Sequence, residues 1–395
     1  MKRWDQLMEY NFDQKMDREN TSSVKWGLTK EIFGADDVLP MWVADMDFQP
    51  PIGVKKAIQE RVDHGIYGYT FSPPSTSEAI QQWLDRRHGW DITPSWILYS
   101  TGVVPSISVA IEALTSPEDK VMLQSPVYTP FYEMIKKNNR KLVNCPLQLI
   151  ENRYEINFTE FENKLKSGVK LFLLCNPHNP SGRIWSKEEL IRIGELCYQY
   201  NCLILSDEIH SDIIFKPYKH TPIASLDERF KEIVLTCIAP SKTFNLAGLQ
   251  ASAVIIPNEK HRESFKKVQE RQGFFALSTL GTIGMEAAYR SGEIWLEGLL
   301  AYLDENIQIV KEYIDAHIPG ISVMEPEGSY LIWLNCRSLH LSDKEIKDRL
   351  LKKGKLALEP GNKYGQEGEG FVRMNIACPK ELVLEGLERL KRAFV

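Results

Sequence analysis

Short apolar runs, many rich in β-branched residues, alternate with helical patterns through the middle of this chain, and that alternation limits the fold more than any other feature. Seven runs have this character: WILYS (96–100), KVMLQ (120–124), KLVNCPL (141–147), KLFLLC (170–175), CLILS (202–206), IVLTCIA (233–239) and ASAVII (251–256). Their continuous rather than alternating hydrophobicity indicates strands that are covered on both faces. The sequence therefore predicts an α/β fold with a roughly seven-stranded, mostly parallel sheet.

The helical patterns between these runs carry recognisable start signals. In SKEELIRIGELCYQY, Ser186 stands at the N-cap position and Glu189 follows three residues later, which predicts a helix with a capping box. A long amphipathic stretch at 293–317 predicts another helix, and a further helix is expected near 342–353.

After about residue 285 the pattern changes to mixed helix and strand, with strand-like SYLIWLN and a glycine-rich segment before a closing helix. A chain of 395 residues exceeds the roughly 250–300 at which one core usually stops growing. We expect a large domain over residues 50–287 and a smaller α+β domain formed by residues 1–49 together with 288–395.

Charge and cysteine usage exclude several classes of protein. A net charge of −5 offers no basic surface for nucleic acid, and the sequence has no apolar stretch long enough for a membrane helix. The seven cysteines are scattered without a CxxC pair, so neither a disulfide framework nor a metal site is predicted. The charged N-terminus has no apolar core of a signal peptide, and we expect a cytoplasmic protein.

In an open α/β sheet, ligands bind beyond the carboxyl ends of the strands, so the polar residues that follow the apolar runs are the informative ones. Lys242 is the only charged residue from 233 to 257, and a partly desolvated lysine can act as a Schiff-base nucleophile rather than lie at the surface. Asp207 ends an uncharged run. Its carboxylate fits a metal ligand, a general base, a partner for a cationic ring or an ordinary acidic turn.

Two further strand ends carry weaker signals. LFLLCNPHNPSG places Asn179 in a proline-rich turn, which is commonly structural. WILYSTGVVPSISVAIEAL places small residues between a strand and a helix, and the backbone N–H groups of such a helix start can hold a phosphate.

Taken in order, NPHNPSG, SDEIHSD and PSKTFNLAG resemble the motifs of fold-type I enzymes that use pyridoxal 5′-phosphate (PLP), the aminotransferase class I/II superfamily. The resemblance covers nearly the whole chain. Further motifs are similar to those of the cystathionine β-lyase and C–S lyase branch: KWG (25–27), LPMWVADMDF (39–48), SPVYTPF (125–131), SKTFNLAGLQ (241–250) and GEGFVRMN (368–375). In this sequence His210 and Gln250 stand where the aminotransferases usually have a tyrosine and an arginine.

The resemblance implies PLP as cofactor and a set of site residues. Lys242 would bind PLP as a Schiff base and act as general base, Asp207 would hold the pyridine nitrogen, Asn179 would contact the phenolic oxygen and the substrate, and Tyr128 would stack on the ring. The phosphate contacts are assigned to the backbone of Gly102, Val103 and Val104 and to Ser241.

Three further residues complete the implied site. Arg373 would bind the α-carboxylate of an amino-acid substrate. Tyr69, with Tyr67 as rival, would reach the phosphate of a neighbouring subunit, which implies a homodimer with a shared active site. His210 would lie next to Asp207 or the cofactor, or be an ordinary structural histidine.

The implied reaction is β-elimination of the sulfur substituent from cystathionine or a related S-substituted cysteine, which gives a thiol, pyruvate and ammonia. Amino transfer begins from the same Cα deprotonation, and no single residue of the sequence decides between the two. A PLP-binding protein with a mainly regulatory role is a third alternative. Ala239 and Gln250 leave the phosphate with fewer polar or charged partners than the aminotransferases have.

Overall fold

The structure, a computed structural model, describes residues 10–395. Its strands are β1 Leu39–Pro40, β2 Ile97–Ser100, β3 Lys120–Leu123, β4 Lys141–Asn144, β5 Gln148–Ile150, β6 Arg153–Glu155, β7 Val169–Cys175, β8 Leu203–Asp207, β9 Val234–Ile238, β10 Ser252–Ile255, β11 Ser322–Val323, β12 Leu331–Asn335, β13 Leu356–Ala357, β14 Glu359–Pro360 and β15 Phe371–Asn375.

Helices separate most of these strands, with short 3₁₀ turns between them. They are α1 Val24–Gly27, α2 Thr29–Phe33, α3 Ile52–His64, α4 Pro74–His88, α5 Val103–Leu114, α6 Thr129–Lys137, α7 Phe158–Lys166, α8 Lys187–Gln199, α9 Pro240–Thr243, α10 Glu259–Arg271, α11 Thr279–Ser291, α12 Glu293–His317, α13 Asp343–Arg349 and α14 Lys380–Phe394.

The seven apolar runs form one seven-stranded sheet, in the order β2-β10-β9-β8-β7-β3-β4. Only β10 is antiparallel to its two neighbours, and the other pairs are parallel. The sheet is therefore mostly parallel, as predicted, and the strand ends differ from the sequence runs by only a few residues.

Continuous hydrophobicity in the runs reflects helices packed on both faces of this sheet. In β7 every residue except Lys170 is buried. Ile107 of α5 and Phe265 of α10 belong to one apolar core, while Phe161 of α7 and Ile193 of α8 belong to the other. Both faces of the central strands are thus removed from water, which is the condition under which a strand loses its alternating pattern.

A second, four-stranded antiparallel sheet lies in the later part of the chain, in the order β11-β12-β15-β14. The segment near residue 39 packs with this part, since β1 pairs with β13 through Leu39 and Leu356. This pairing agrees with the expected small domain, but its exact limits stay a prediction. Residues 1–9 of that expected domain lie outside the described residues.

The predicted helix signals are mostly confirmed. Ser186 and Glu189 form the expected capping box at the start of α8, and α12 covers the whole amphipathic stretch. The helix expected near 342–353 is regular only to Arg349 and continues as a π-helical turn to Gly354. Within residues 10–395, no helix is both long and apolar enough to cross a membrane.

Candidate active site

The carboxyl ends of the central strands meet at one edge of the large sheet. Asp207, the last residue of β8, is the register partner of Cys175 on β7 and of Cys237 on β9. The residues that follow these strands therefore converge on a cavity of about 450 Å³. Ten of the residues implied by the motifs line it: Gly102, Val103, Val104, Tyr128, Asn179, Asp207, His210, Ser241, Lys242 and Arg373.

Lys242 enters the cavity from α9, the short helix that follows β9. Its Nζ donates a hydrogen bond to the carbonyl oxygen of Ala44 at 2.6 Å. Burial among protein atoms, with a further contribution from the Arg373 guanidinium, lowers the pKa of Lys242 to about 8. More of this amine is neutral near pH 8 than in an ordinary lysine, so it is a better nucleophile and base.

Asp207 is a buried carboxylate that faces the same cavity. Its Oδ1 accepts a hydrogen bond from the Ile209 backbone N–H at 3.2 Å. Burial raises the pKa of Asp207 to about 7, although the Ile209 contact and the charge of Lys242 oppose the rise. A protonated ring nitrogen in the cavity would restore the ionised carboxylate, because an adjacent cation stabilises its charged form.

The N-terminus of α5 opens onto the cavity at Gly102 and Val103. The first N–H groups of a helix have no partner within the helix, so they can hold an anion such as a phosphate. Ser241, Ala239 and Gln250 line the same cavity, which places the two departures from the aminotransferase pattern at the site.

Arg373, on β15, is 5% exposed and brings a guanidinium to the cavity. Its Nη1 donates to Asn179 Oδ1 at 3.0 Å and its Nη2 to the carbonyl oxygen of Trp42 at 2.8 Å. Its Nε is buried without an acceptor among the described residues. A buried guanidinium held in this way fits the carboxylate of an amino acid.

Two aromatic side chains flank these charges. Burial lowers the pKa of His210 to about 3, so the ring is neutral, and its Nδ1 lies 3.1 Å from Ser329 Oγ. Burial raises the pKa of Tyr128 to about 12, so its hydroxyl stays protonated at neutral pH.

Tyr69 is not part of this chain's own cavity. Its side chain is fully exposed, and its ring contacts that of Phe275, with the centroids 6.4 Å apart. Tyr67 is exposed as well, and its hydroxyl donates to the Val62 carbonyl oxygen at 3.2 Å. A role at a neighbouring subunit's phosphate stays a prediction for both residues.

Two asparagines that were not predicted as site residues hold the segment from Trp42 to Phe48 against the site. Asn245 Nδ2 donates to the carbonyl oxygens of Met46 and Phe48, at 2.9 and 2.8 Å. Asn375 Nδ2 donates to those of Val43 and Asp45, both at 2.6 Å. Both asparagines lie in quoted motifs, but nothing in a motif says which backbone an amide will contact.

Glu359 and Tyr364 also line the cavity and were not predicted from the sequence. They come from the segment that precedes β15, far along the chain from Lys242, and the apolar run directly before Glu359 has only three residues, 356–358, too few to indicate a strand. Among residues 10–395, no cluster of metal-ligating side chains is found.

These residues form a set that suits PLP: an amine of lowered pKa, a buried carboxylate for a ring nitrogen, a helix start for a phosphate and a guanidinium for a substrate carboxylate. Known proteins resemble this chain along most of its length. Residues 36–390 match the aminotransferase class I and II family. The chain is 48% identical to the cystathionine β-lyase PatB of Bacillus subtilis, over 97% of this chain and 99% of that protein.

Solved structures agree with this likeness. A PLP-bound protein of Clostridium difficile 630, provisionally described as an aminotransferase, superposes with a TM-score of 0.96 at 46% identity, over 97% of this chain and 99% of that one. Cystalysin of Treponema denticola, which contains PLP, gives a TM-score of 0.94 at 35% identity, over 97% of this chain and 98% of that one.

Proposed function

Since the chain belongs to the aminotransferase class I and II family, we propose that it is a PLP-dependent carbon–sulfur β-lyase acting on cystathionine or related S-substituted cysteines. The observation that carries the proposal is the convergence of Lys242, Asp207 and Arg373 in one cavity. The choice of elimination over amino transfer is supported by the 48% identity to a cystathionine β-lyase along nearly the whole chain.

The chain's own residues bind and orient the substrate. Arg373 binds the α-carboxylate and is itself oriented by Asn179 and the Trp42 carbonyl oxygen. Asn179 uses its Oδ1 for Arg373, so contact with a phenolic oxygen of the cofactor falls to its Nδ2. Together these contacts bring the substrate Cα towards Lys242.

Lys242 takes the proton from the substrate Cα, for which an amine of pKa about 8 is well suited near neutral pH. PLP, when bound, supplies a ring that withdraws the electrons left at Cα, and Asp207 keeps that ring protonated. Loss of the thiolate from Cβ and uptake of one water give a thiol, pyruvate and ammonia in equal amounts.

Our proposal includes a homodimer in the cytoplasm, with Tyr69 reaching the phosphate of the partner's site. Support comes from a cluster of exposed side chains that we call the aromatic patch: Ile66, Tyr67, Tyr69, Phe71 and Phe275. Exposed apolar patches of this kind are uncommon on monomers and usually mark an interface. The seven cysteines are all buried and free, which agrees with a reducing compartment.

Incubation of the purified holoprotein with L-cystathionine tests the function. We expect release of pyruvate and free thiol in equal amounts without any added keto acid. Lys242→Ala should abolish the release and remove the pyridoxyl adduct that borohydride reduction leaves in the wild type, because the variant has no amine to bind the aldehyde.

The alternatives predict different products. An aminotransferase would release no thiol and would need an added keto acid to turn over. A regulatory protein would bind PLP, and lose it in Lys242→Ala, but cleave no substrate. Either result would contradict the lyase proposal.

A further inference from the structure

Four charged side chains line the cavity, and one of them has no role in the chemistry described above. Lys242, Asp207 and Arg373 are accounted for, while Glu359 is not. Its side chain is only 11% exposed, so it is a largely desolvated carboxylate at the edge of a substrate site. The other lining residues are uncharged, with His210 neutral.

Strand pairing places Glu359 beside the guanidinium that would bind substrate. β14 runs antiparallel to β15, and Glu359 is the register partner of Arg373. Residues directly opposite in an antiparallel pair project to the same face, with Cβ atoms roughly 5 Å apart. Any ligand whose carboxylate reaches Arg373 therefore lies close to Glu359.

The two opposite charges do not pair with each other in the structure. Arg373 donates to Asn179 and Trp42, whereas Glu359 accepts from Lys363 Nζ at 2.6 Å. Lys363 is 45% exposed, so its ammonium can be exchanged for another cation at little cost in solvation. The carboxylate of Glu359 is buried and stays in place.

We propose that Glu359 is a specificity-determining residue that selects cysteine derivatives whose sulfur substituent ends in an ammonium group. The proposal rests on the lyase function proposed above. An ammonium on the substituent binds the buried carboxylate of Glu359, either in place of the Lys363 amine or beside it. A substituent that ends in a carboxylate alone meets the negative charge of Glu359 and is disfavoured.

Cystathionine carries both charges at the far end of its sulfur substituent. Its distal ammonium matches Glu359 and its distal carboxylate matches the exposed Lys363, so the Glu359–Lys363 pair is complementary to a zwitterion. Cysteine itself lacks such a group and would gain nothing from the pair. The structure thus assigns the charge of the substituent, rather than its size alone, as a basis of selection.

Three cysteine derivatives, whose sulfur substituents end in a cation, in an uncharged group and in an anion, test this: S-(2-aminoethyl)-L-cysteine, S-methyl-L-cysteine and S-carboxymethyl-L-cysteine. In Glu359→Gln we expect the ratio of kcat/KM for the aminoethyl over the carboxymethyl compound to fall by about tenfold, the size of one charge-assisted contact. The value for the methyl compound should change by less than about twofold.

Asp348→Asn is the matched control, because it removes the acid of another (i, i+4) pair with lysine, Lys352–Asp348, outside the cavity. It should leave all three values unchanged. Lys363→Gln is a second variant at an exposed position, so it should fold even if Glu359→Gln does not. This variant removes the ammonium that pairs with Glu359, so the ratio of kcat/KM for the aminoethyl over the carboxymethyl compound should rise.

Binding to holoprotein reduced with borohydride, which cannot turn over, gives a readout independent of activity. By calorimetry the aminoethyl compound should bind the wild type more tightly than the carboxymethyl compound, and Glu359→Gln should remove the difference. If Glu359→Gln changed the affinity and kcat/KM for all three compounds by the same factor, the proposal would be overturned and Glu359 would have only a structural role. If the wild type binds with this preference but releases no pyruvate, the lyase function fails and the charge selection stands.

Discussion

At the scale of single residues, Lys242 shows how burial prepares a side chain for chemistry. Removing an ammonium from water favours its neutral form, and the Arg373 guanidinium adds to this effect. The charges of Asp45 and Asp207 act in the opposite direction. The lowered pKa is the balance of these contributions, with burial the largest.

This balance gives a pH prediction for the apoprotein. The pKa of Lys242 is about 8 in the folded chain, against about 10.4 for a free lysine, so its neutral fraction should rise through pH 8. Trace acetylation of Lys242, followed by mass spectrometry across the pH range, should show a midpoint near 8. Arg373→Gln should move the midpoint upward, because it removes a positive charge that favours the neutral amine.

An internal reference compound keeps that measurement interpretable. Free N-acetyl-lysine methylamide, labelled in the same tube, corrects for the reagent's own dependence on pH. A midpoint near that of the free compound would show that Lys242 is solvated in the apoprotein, which would contradict the burial described here.

At the scale of secondary-structure elements, a buried carboxylate joins the helix that carries Lys242 to a neighbouring helix. Asp212 accepts hydrogen bonds from Thr243 of α9 at 2.8 Å, and from Trp83 and His88 of α4 at 3.0 and 2.9 Å. Burial alone would raise the pKa of Asp212, but the His88 and Thr243 contacts outweigh it and the net pKa is lowered. An ionised carboxylate therefore fixes α9, and with it Lys242.

Asp212→Asn tests this link. An amide places a donor where the carboxylate has only acceptors, so at least one of the three donors loses its partner. We expect a loss of about 3 kcal/mol in the free energy of unfolding, measured by denaturant titration, and weaker retention of PLP.

Asp315→Asn on the exposed face of α12 is the control and should change neither quantity. Unchanged PLP retention in a destabilised Asp212→Asn would show that Asp212 supports the fold without positioning Lys242.

The elements also show where sequence reasoning succeeds and where it stops. Lys242, Asp207 and Asn179 could be predicted to meet because each lies at or just after the end of a strand, and parallel strands end at one edge of a sheet. Glu359 could not, since its position depends on which strand pairs with β15 and in which register. Gly182 is a second residue whose role could not be predicted from the sequence. Its φ is +73°, and a Cβ at this position would lie 2.8 Å from the Gly328 carbonyl oxygen, so the need for glycine arises from a contact between segments that are distant along the chain.

At the scale of the whole molecule, the proposed homodimer connects the aromatic patch of one chain with the cavity of the other. Thr70 Oγ1 lies 2.8 Å from Thr279 Oγ1, which ties the segment that carries Tyr69 to α11. The segment is thus attached to its own chain while its apolar side chains face outward. A second copy of the chain that covers the patch would bring Tyr69 to the partner's site, as the family resemblance implies.

The dimer has a direct test in sedimentation. We expect the wild type to sediment at twice the mass of one chain at micromolar concentration. The double variant Tyr69→Ser, Phe275→Ser should raise the dissociation constant by at least about 100-fold, because exposed aromatic residues at the centre of an interface commonly contribute most of its affinity. Ile150→Ser, at an exposed apolar residue outside the patch, is the matched control and should stay dimeric.

A shared active site makes a stronger prediction than dimerisation alone. Lys242→Ala and Tyr69→Phe should each be inactive or strongly impaired by itself, since one lacks the Schiff-base amine and the other a phosphate contact. When the two are unfolded and refolded together in equal amounts, about half of the dimers are mixed, and each mixed dimer has one site with both residues intact. Pyruvate release should then recover to about a quarter of the wild-type rate. If Tyr69 served its own chain's cavity, every mixed site would still lack one of the two residues and no recovery would occur.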